Sequence, residues 1–248
     1  KQMTTVDSAS IYPIEVDGTF DDCQNLVKHL FQNLEFKEEV SLGAINSINW
    51  ARVAAQIVYY FSTFQQLQSN RVSFSVPTGN FGDVLAGWVA KKMGLPIDKL
   101  IVATNDNDIL DRAISNGDYF QEEVKATTSP SMDIQISSNF ERLLFESLDR
   151  DPEKLRNLFK ELKENNGFRI NNDTLTYIRN DFKSGKASEE KVKDTISRIH
   201  KASNIILDPH TAVGFYASVS ELNFDVPMVN LGTAHPAKFS KAVIDAIG

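Results

Sequence analysis

Cysteine is almost absent from this sequence, which holds a single one, Cys23, in 248 residues. One cysteine excludes a disulfide within the chain and favours a reducing compartment, so we expect a cytoplasmic protein. No apolar run reaches the ~18 residues typical of a membrane span, and we expect no membrane partner. Basic clusters are missing as well: 33 acidic residues outnumber 26 basic ones, for a net charge of -7. We expect no nucleic-acid partner, because binding to a phosphate backbone requires clustered positive charge.

Several catalytic patterns are also missing. The sequence has no paired-cysteine or His-Glu-x-x-His pattern, and its four histidines are not spaced as metal ligands, so we expect no metal site. No Gly-x-Ser-x-Gly elbow is present, which disfavours hydrolysis by a serine nucleophile. The sequence begins KQMTTV rather than with a methionine and resembles the interior of a polypeptide. We therefore expect that N-terminal sequence is missing.

Strand and helix patterns alternate through much of the chain. Apolar, β-branched runs predict strands at residues 72–76, 100–103, 204–207 and 227–231, with a further short strand at 11–16. Helical spacing of apolar residues predicts helices from residue 21, at 47–67, from 83 to about 94, and at 107–115, 211–222 and 236–247. Strand followed by helix in this order predicts an α/β fold, with a parallel, doubly wound sheet covered by helices on both faces.

Residues 139–202 differ from this pattern. Charge density rises, Asp151-Pro152-Glu153 marks a helix start, and helices are expected to follow one another without intervening strands. The predicted organisation is an α/β core over residues 1–138, an added helical segment over 139–202, and a return to the core over 203–248.

The most informative segment is RVSFSVPTGNFGDVLAGWVAKK, residues 71–92. A strand meets a glycine-bearing turn, residues 77–83, and a helix follows. Backbone N–H groups at such a helix N-terminus form a site for a phosphate-sized anion, and Gly79 and Gly82 are expected to let the backbone approach it closely. The turn lacks the Lys-Ser/Thr of a P-loop and the glycines of a dinucleotide fingerprint. The expected ligand is therefore a phosphate on something other than a nucleotide.

A second polar cluster, NSINWAR, opens the helix predicted at 47–67. Asn46 or Ser47 is expected to cap the helix, and Asn49 and Arg52 are three residues apart, which places them on one face. These groups suit a second anion, because arginine holds phosphate with two hydrogen bonds. An ordinary helix cap beside a solvated arginine explains the segment equally well.

Two further clusters follow predicted strands and precede helices. LDPHTA contains His210, which is either a general acid–base group or a hydrogen-bonded structural histidine. GTAHPAKF places Thr233, His235 and Lys238 after the last predicted strand. A hydroxyl, an imidazole and an ammonium at one strand end suggest a ligand site only weakly.

Taken together, PTGNFGDVLAGWVAKKMGLP, NSINWAR, SPSMDIQISSNFERLLF, ILDPHTAVG and GTAHPAKF resemble threonine synthase, most closely its long fungal and bacterial form. The motifs occur in the family's order from end to end of the chain. The resemblance implies a fold-type II scaffold that uses pyridoxal 5′-phosphate (PLP). It implies conversion of O-phospho-L-homoserine and water into L-threonine and inorganic phosphate, the last step of threonine biosynthesis.

The resemblance also assigns roles to individual residues. It implies a cradle for the cofactor phosphate, a hydroxyl at the pyridine nitrogen from Thr233, and a group of residues that hold the substrate phosphate. The cradle residues are Gly79, Asn80, Phe81, Gly82 and Asp83, and the substrate-phosphate residues are Asn46, Ser47, Asn49 and Arg52. Two anion sites agree with the two phosphates of this reaction.

One departure from the family pattern concerns catalysis. The family's Schiff-base lysine lies in a Phe-Lys-Asp segment upstream of these motifs, and no such tripeptide occurs in this sequence. The expectation is a C-terminal portion of a threonine synthase that is inactive alone. Two alternatives stay open: a threonine synthase-like phospho-lyase with other products, and a non-catalytic truncated signalling product of the same fold.

Overall fold

The computed structural model describes residues 8–18, 20–44, 46 and 49–248. The chain divides into two compact units, residues 1–44 and residues 45–248. The α-helices of the described residues are α1 (Phe20–Gln32), α2 (Leu34–Glu39), α3 (Trp50–Gln66), α4 (Gly82–Lys92), α5 (Ile109–Asn116), α6 (Phe140–Ser147), α7 (Pro152–Asn165), α8 (Asn172–Asp181), α9 (Glu189–Ser203), α10 (Pro209–Ser218) and α11 (Ser240–Ile247). Short 3₁₀ turns occupy Pro130–Met132, Val219–Glu221 and Pro236–Phe239.

The strands of the second unit form two sheets. They are β1 (Val72–Pro77), β2 (Ile97–Thr104), β3 (Asp118–Phe120), β4 (Gly167–Arg169), β5 (Phe182–Lys186) and β6 (Met228–Asn230). The main sheet has the order β5-β2-β1-β6, and every pair in it is parallel. Strands β3 and β4 pair antiparallel in a separate ribbon. The predicted parallel α/β fold is confirmed.

Alternation along β2 explains why helices cover both faces of this sheet. Leu100 and Val102 pack into one hydrophobic cluster, with residues of α4 and α5. Ile101 and Ala103 pack into another, with residues of α9 and α10. Successive strand residues point to opposite faces, so the buried residues 100–103 of this central strand contribute to two cores.

Residues 139–202 contain strands that the sequence did not predict. The ribbon strand β4 and the main-sheet strand β5 both lie there, and β5 pairs with β2 from Leu100↔Phe182 to Thr104↔Lys186. The expectation of helices without strands is therefore wrong. The sequence of β5, FKSGK, has one large apolar residue and lacks the β-branched side chains that mark a strand. It forms because the backbone of β2 offers it hydrogen bonds.

Two segments that were predicted to be strands do not form strands. Residues 11–16 and residues 204–207 are irregular. The first segment contains Pro13, which has no N–H to donate, and its neighbours Tyr12 and Ile14 are exposed. In the second, Ile205 and Ile206 are exposed, so an apolar run here does not mark a buried strand.

Several predicted helix limits agree closely with the structure. Asp151 caps α7 by accepting from the N–H groups of Glu153 and Lys154, as its Asp-Pro-Glu start indicates. Gly117 ends α5 with a left-handed φ of 85°. Helix α1 begins at Phe20, before the expected Asp21. Among the described residues, no helix combines the length and apolar character needed to cross a membrane.

The carboxyl end of the main sheet is held together by backbone contacts. Thr78 N–H donates to the carbonyl of Ala103 at 2.8 Å, and Leu231 N–H donates to the carbonyl of Ser75 at 3.0 Å. The buried Ser75 hydroxyl donates to the carbonyl of Gly214 in α10 at 2.7 Å. The loops that follow β1 and β6 and the start of α10 therefore converge at one edge, where open α/β sheets bind ligands.

Gly87, in the middle of α4, allows the side chain of Tyr60 to pack against this helix. A Cβ at Gly87 would lie 2.5 Å from Tyr60 Cε1 and 3.0 Å from Leu100 Cδ2. We predict that Gly87→Ala lowers the free energy of unfolding by about 1–2 kcal/mol, because overpacking outweighs the helix-propensity gain of roughly 1 kcal/mol. Urea unfolding monitored by circular dichroism measures this change.

Gly232→Ala is the control for this variant. Its Cβ would lie 3.9 Å from Thr211 Oγ1, the nearest of the described atoms. We expect its stability to change by less than about 0.5 kcal/mol. An unchanged or increased stability of Gly87→Ala would show that the Tyr60 ring moves away without cost.

Candidate functional site

A cleft of about 630 Å³ opens at the carboxyl edge of the main sheet. Its volume suits a small organic ligand. Its walls come from α3, from the turn between β1 and α4, from the 3₁₀ turn before α6, from the start of α10 and from the loop after β6. The lining residues are Asn46, Arg52, Gln56, Tyr59, Pro77, Thr78, Gly79, Asn80, Phe81, Gly82, Asp83, Val84, Ser131, Met132, His210, Leu231, Gly232, Thr233, Ala234, Lys238 and Phe239.

The turn between β1 and α4 has a left-handed residue that is not glycine. Phe81, the residue before α4, has φ 63° and ψ 5°. This conformation costs a non-glycine residue about 1–3 kcal/mol and persists only where its surroundings impose it. The Phe81 ring is 1% exposed and lies 5.3 Å from the Phe140 ring and 5.6 Å from the Phe182 ring, between centroids. Burial of the ring therefore stabilises the backbone of the turn.

The peptide groups of this turn are oriented by the segment before α6. The Ser137 hydroxyl donates to the carbonyl of Gly79 at 2.8 Å, and Asn139 donates to the carbonyl of Asn80 from both its backbone N–H and its side-chain amide, each at 3.1 Å. Across a trans peptide the next N–H points opposite to the carbonyl. The N–H groups of Asn80 and Phe81 therefore point away from residues 137–139.

The start of α4 has the character of an anion site. The first N–H groups of any helix lack partners within the helix. Phe81, the N-cap residue of α4, makes no side-chain hydrogen bond to them. These N–H groups carry the positive end of the helix dipole, and they belong to a turn that lines the cleft. The arrangement suits a phosphate group.

Gly79 of the turn has a packing role that the sequence did not indicate. Gly79 does not have a left-handed φ, and a Cβ there would lie 2.8 Å from the carbonyl oxygen of Ser131 and 3.3 Å from Met132 Cα. Gly79 is thus required because residues 131–132 pack directly against it. The expectation that Gly79 lets the backbone approach an anion stays a prediction beside this packing role.

The residues predicted to hold a second anion are placed differently from one another. Asn46 and Arg52 line the cleft. Asn49 is the N-cap of α3, with its side-chain oxygen accepting from Ala51 N–H at 3.0 Å, and it is not among the residues lining the cleft. The expected cap by Asn46 or Ser47 is therefore replaced by Asn49, and Ser47 itself lies outside the described residues.

Asp83, in the first turn of α4, faces the cleft with an altered pKa. Burial raises the pKa of Asp83 from its ordinary 3.8 to about 6, and this outweighs the lowering effects of the Tyr60 hydrogen bond and the Arg52 charge. The Tyr60 hydroxyl donates to Asp83 Oδ1 at 3.2 Å and to the Asp83 carbonyl at 2.8 Å. Burial also raises the pKa of Tyr60 well above 10.0, so this phenol stays a donor at neutral pH.

A second carboxylate, Asp208, caps α10 on the other side of the cleft. It accepts from the backbone N–H groups of His210, at 2.9 Å, and Thr211, at 3.3 Å, and from the Thr211 hydroxyl. Its Oδ1 also lies 3.1 Å from His210 Nδ1. Burial alone would raise the pKa of Asp208, but the hydrogen bonds from His210 and Thr211 reverse this and hold it below 3.8. Asp208 is therefore ionised at neutral pH.

The loop after β6 brings Thr233 and Lys238 to the same cleft. His235 serves the loop itself, because its Nδ1 accepts from Ala237 N–H at 3.2 Å and caps the turn Pro236–Phe239. Lys238 lies over the Phe239 ring, 6.0 Å from the centroid. Among the described residues, no group of His, Cys, Asp and Glu is arranged to hold a metal ion.

Sequence reasoning missed several residues of the site. Tyr60 was part of an apolar helix with no indication that its hydroxyl would reach Asp83, 23 residues away. Ser131 and Met132 belong to a motif used only for the family resemblance, yet they support the turn at Gly79. Gln56 and Tyr59 also line the cleft. Apart from their position on α3, nothing in the sequence indicated that they belong to the site.

The raised pKa of Asp83 predicts a pH-dependent effect on stability. The protonated carboxyl is favoured in the folded chain, so its contribution is complete below pH 3.8 and is lost as pH rises through about 6. We predict that Asp83→Asn becomes more stable relative to the parent between about pH 4 and pH 7, by on the order of 2–3 kcal/mol. Urea unfolding at both pH values measures this difference.

Asp173→Asn provides a comparison from another helix start. Asp173 is an exposed carboxylate in the first turn of α8. We expect its replacement to alter stability by a nearly constant amount over the same pH range. If Asp83→Asn behaves in the same flat manner, burial of Asp83 does not govern its protonation.

Comparison with known proteins identifies relatives of the whole chain. The family description "Threonine synthase, C-terminal" matches residues 211–248. Threonine synthase from Saccharomyces cerevisiae is 46% identical over 270 residues, an alignment that covers 100% of this chain and 52% of that protein.

Solved structures agree. The crystal structure of PLP-bound threonine synthase from Brucella melitensis superposes with a TM-score of 0.92 at 50% identity, and the match covers 100% of this chain and 54% of that one. Yeast threonine synthase superposes with a TM-score of 0.87 at 45% identity, covering 99% and 52% of the two chains. The chain spans about half the length of the curated relatives it matches. The resemblance predicted from the motifs is thus confirmed: this chain is similar over its whole length to threonine synthases and shares the α/β fold of fold-type II enzymes.

Proposed function

We propose that this chain provides the cofactor-phosphate and substrate-phosphate sites of a threonine synthase. The proposed reaction is the PLP-dependent conversion of O-phospho-L-homoserine and water into L-threonine and inorganic phosphate. One observation carries the proposal. The uncapped start of α4, with the strained Phe81 before it, opens on the same cleft as Arg52 and Thr233.

The cofactor phosphate is assigned to residues 79–83. The N–H groups of Asn80 and Phe81 turn away from residues 137–139, and the dipole of α4 favours an anion at its start. The hydroxyl of Thr233 is assigned to the pyridine nitrogen, in keeping with its place on the loop after β6. When bound, PLP supplies an electron sink for carbanions formed on the substrate.

The charge of the Asp83 carboxyl affects how well this cradle binds a phosphate. A carboxylate beside a bound phosphate repels it, but a group with a pKa of about 6 is partly protonated near neutral pH. The nearby Arg52 charge offsets the remaining negative charge. The Asp83 carboxyl is therefore assigned to the support of α4 through Tyr60, while the backbone of Asp83 belongs to the cradle.

The substrate phosphate is assigned to the start of α3. Arg52 and Asn46 line the cleft, and Arg52 provides a fork that matches phosphate oxygens. Asn49 contributes by fixing the helix start through its cap to Ala51 N–H. Ser47 is retained in the proposal on the motif alone, as it lies outside the described residues.

The Schiff-base lysine is assigned to sequence outside these 248 residues. The chain has no Phe-Lys-Asp tripeptide, and its relatives are about twice as long. We therefore propose that the chain alone is inactive. A cytoplasmic location is proposed on the single cysteine. A cleft lined by residues of both proposed anion sites favours this interpretation over a phospho-lyase with other products or a non-catalytic product.

The first test concerns the cradle. We predict that Asn80→Leu and Gly82→Leu each weaken PLP binding at least about tenfold, because a bulky side chain displaces the anion from the N–H groups. The measurement is calorimetric titration with PLP. It uses a longer protein in which an upstream segment containing the Phe-Lys-Asp tripeptide is joined to this chain. Asn165→Leu, at the exposed end of α7, is the control and should bind as the parent does. Unchanged affinity in the cradle variants would overturn the assignment.

The second test concerns the reaction. We predict that the same joined protein releases phosphate from O-phospho-L-homoserine and forms an equal amount of L-threonine, whereas this chain alone does neither. Phosphate release and amino-acid analysis measure the two products. Phosphate released without threonine would favour the phospho-lyase alternative. PLP binding without any turnover would favour the non-catalytic one.

A further inference from the structure

The imidazole of His210 is held at the wall of the cleft by Asp208. His210 is 3% exposed and Asp208 is 2% exposed. Asp208 Oδ1 lies 3.1 Å from His210 Nδ1, and the Phe239 ring lies 4.8 Å from the imidazole, between centroids. The Phe239 ring and the Asp208 carboxylate thus restrict the orientation of the imidazole.

The contact with Asp208 determines which nitrogen carries the proton. An ionised carboxylate only accepts hydrogen bonds, so Nδ1 must be the donor. In the neutral ring the remaining nitrogen, Nε2, is then an acceptor. The same carboxylate accepts from the Thr211 hydroxyl and from two backbone N–H groups, which fixes its own position.

Nε2 is buried and has no hydrogen-bond partner among the described residues. A buried polar atom without a partner is unfavourable, so such an atom calls for a functional reason. His210 lines the cleft, so its ring lies beside the space in which a ligand would bind. The capping of α10 does not require the ring, because Asp208 makes the cap.

The groups around the cleft include several hydrogen-bond donors. They include the backbone N–H groups at the start of α4, the guanidinium of Arg52 and the ammonium of Lys238. In its neutral form, with Nδ1 donating to Asp208, the imidazole instead offers an acceptor nitrogen, which suits a ligand group that donates. Phosphate oxygens at neutral pH are mainly acceptors, so the partner of Nε2 belongs to another part of the ligand.

We propose that His210 is a ligand-contacting residue whose Nε2 accepts a hydrogen bond from an O–H or N–H group of the molecule bound in the cleft. This inference rests on the proposed function, in which the cleft holds PLP and an amino acid. Both carry such donors, on the ring of one and on the amino or hydroxyl group of the other. Asp208 acts as a positioning residue, because it sets the tautomer of His210.

The test is ¹⁵N NMR of the histidine side chains in the protein joined to a Phe-Lys-Asp segment. The signal of His210 is identified by its loss in His210→Gln. We expect Nδ1 to be protonated and Nε2 to be unprotonated without ligand. Addition of PLP, or of PLP with L-threonine, should shift the Nε2 signal, whereas inorganic phosphate alone should not. The step at which the shift appears identifies which molecule provides the donor.

Asp208→Asn tests the positioning role. Asparagine caps a helix as well as aspartate does, but its amide can donate to Nδ1 and move the ring proton to Nε2. We expect the tautomer to reverse and the affinity for the ligand that shifted Nε2 to fall roughly fivefold to tenfold. Thr211→Val removes a different hydrogen bond from the same carboxylate and should leave the tautomer unchanged.

The outcomes distinguish a failure of this inference from a failure of the proposed function. If PLP and L-threonine bind but the Nε2 signal does not move, the inference is wrong and the proposed function stands. If PLP does not bind at all, both are wrong. Should Asp208→Asn fail to fold, the titration of the parent protein still decides the question.

Discussion

The site depends on holding Phe81 in a left-handed conformation between β1 and α4. Its φ of 63° is unfavourable for a phenylalanine, and the aromatic cluster with Phe140 and Phe182 compensates by burying the ring. Phe182 begins β5 and Phe140 begins α6, so segments more than fifty residues downstream fix the direction of the N–H groups at the cleft. Loss of that packing would allow the turn to relax, and the proposed anion site would lose its shape.

The two buried carboxylates beside the cleft are perturbed in opposite directions for one physical reason. Asp83 accepts a side-chain hydrogen bond from Tyr60, and burial still raises its pKa to about 6. Asp208 receives bonds from His210 and Thr211 that outweigh its burial. The number of donors thus decides which carboxylate keeps its charge. Asp83, which is partly protonated, can lie beside the expected phosphate with little repulsion. Asp208, which stays ionised, can hold the imidazole of His210.

The sequence predicted those parts of the molecule that depend on local chemistry. The turn at residues 77–83, the cap by Asp151 and the stop at Gly117 follow from residue types within a few positions. Features created by tertiary contacts were not predictable. Strand β5 has a mostly polar sequence and exists because β2 pairs with it. The packing of Gly79 and the hydroxyl contact of Tyr60 were missed, since their partners Ser131 and Asp83 lie far along the chain.

All the described residues that line the cleft fall within residues 46–239, which belong to one compact unit. The uncapped helix start, Arg52, His210 and Thr233 are therefore brought together by contacts within this unit. In the proposed function, phosphate binding and covalent attachment of the cofactor are then separable properties. Phosphate binding needs oriented N–H groups, whereas attachment needs the nucleophilic amine of a lysine. Affinity for the anionic end of the cofactor should accordingly reside in this chain, whatever supplies the amine.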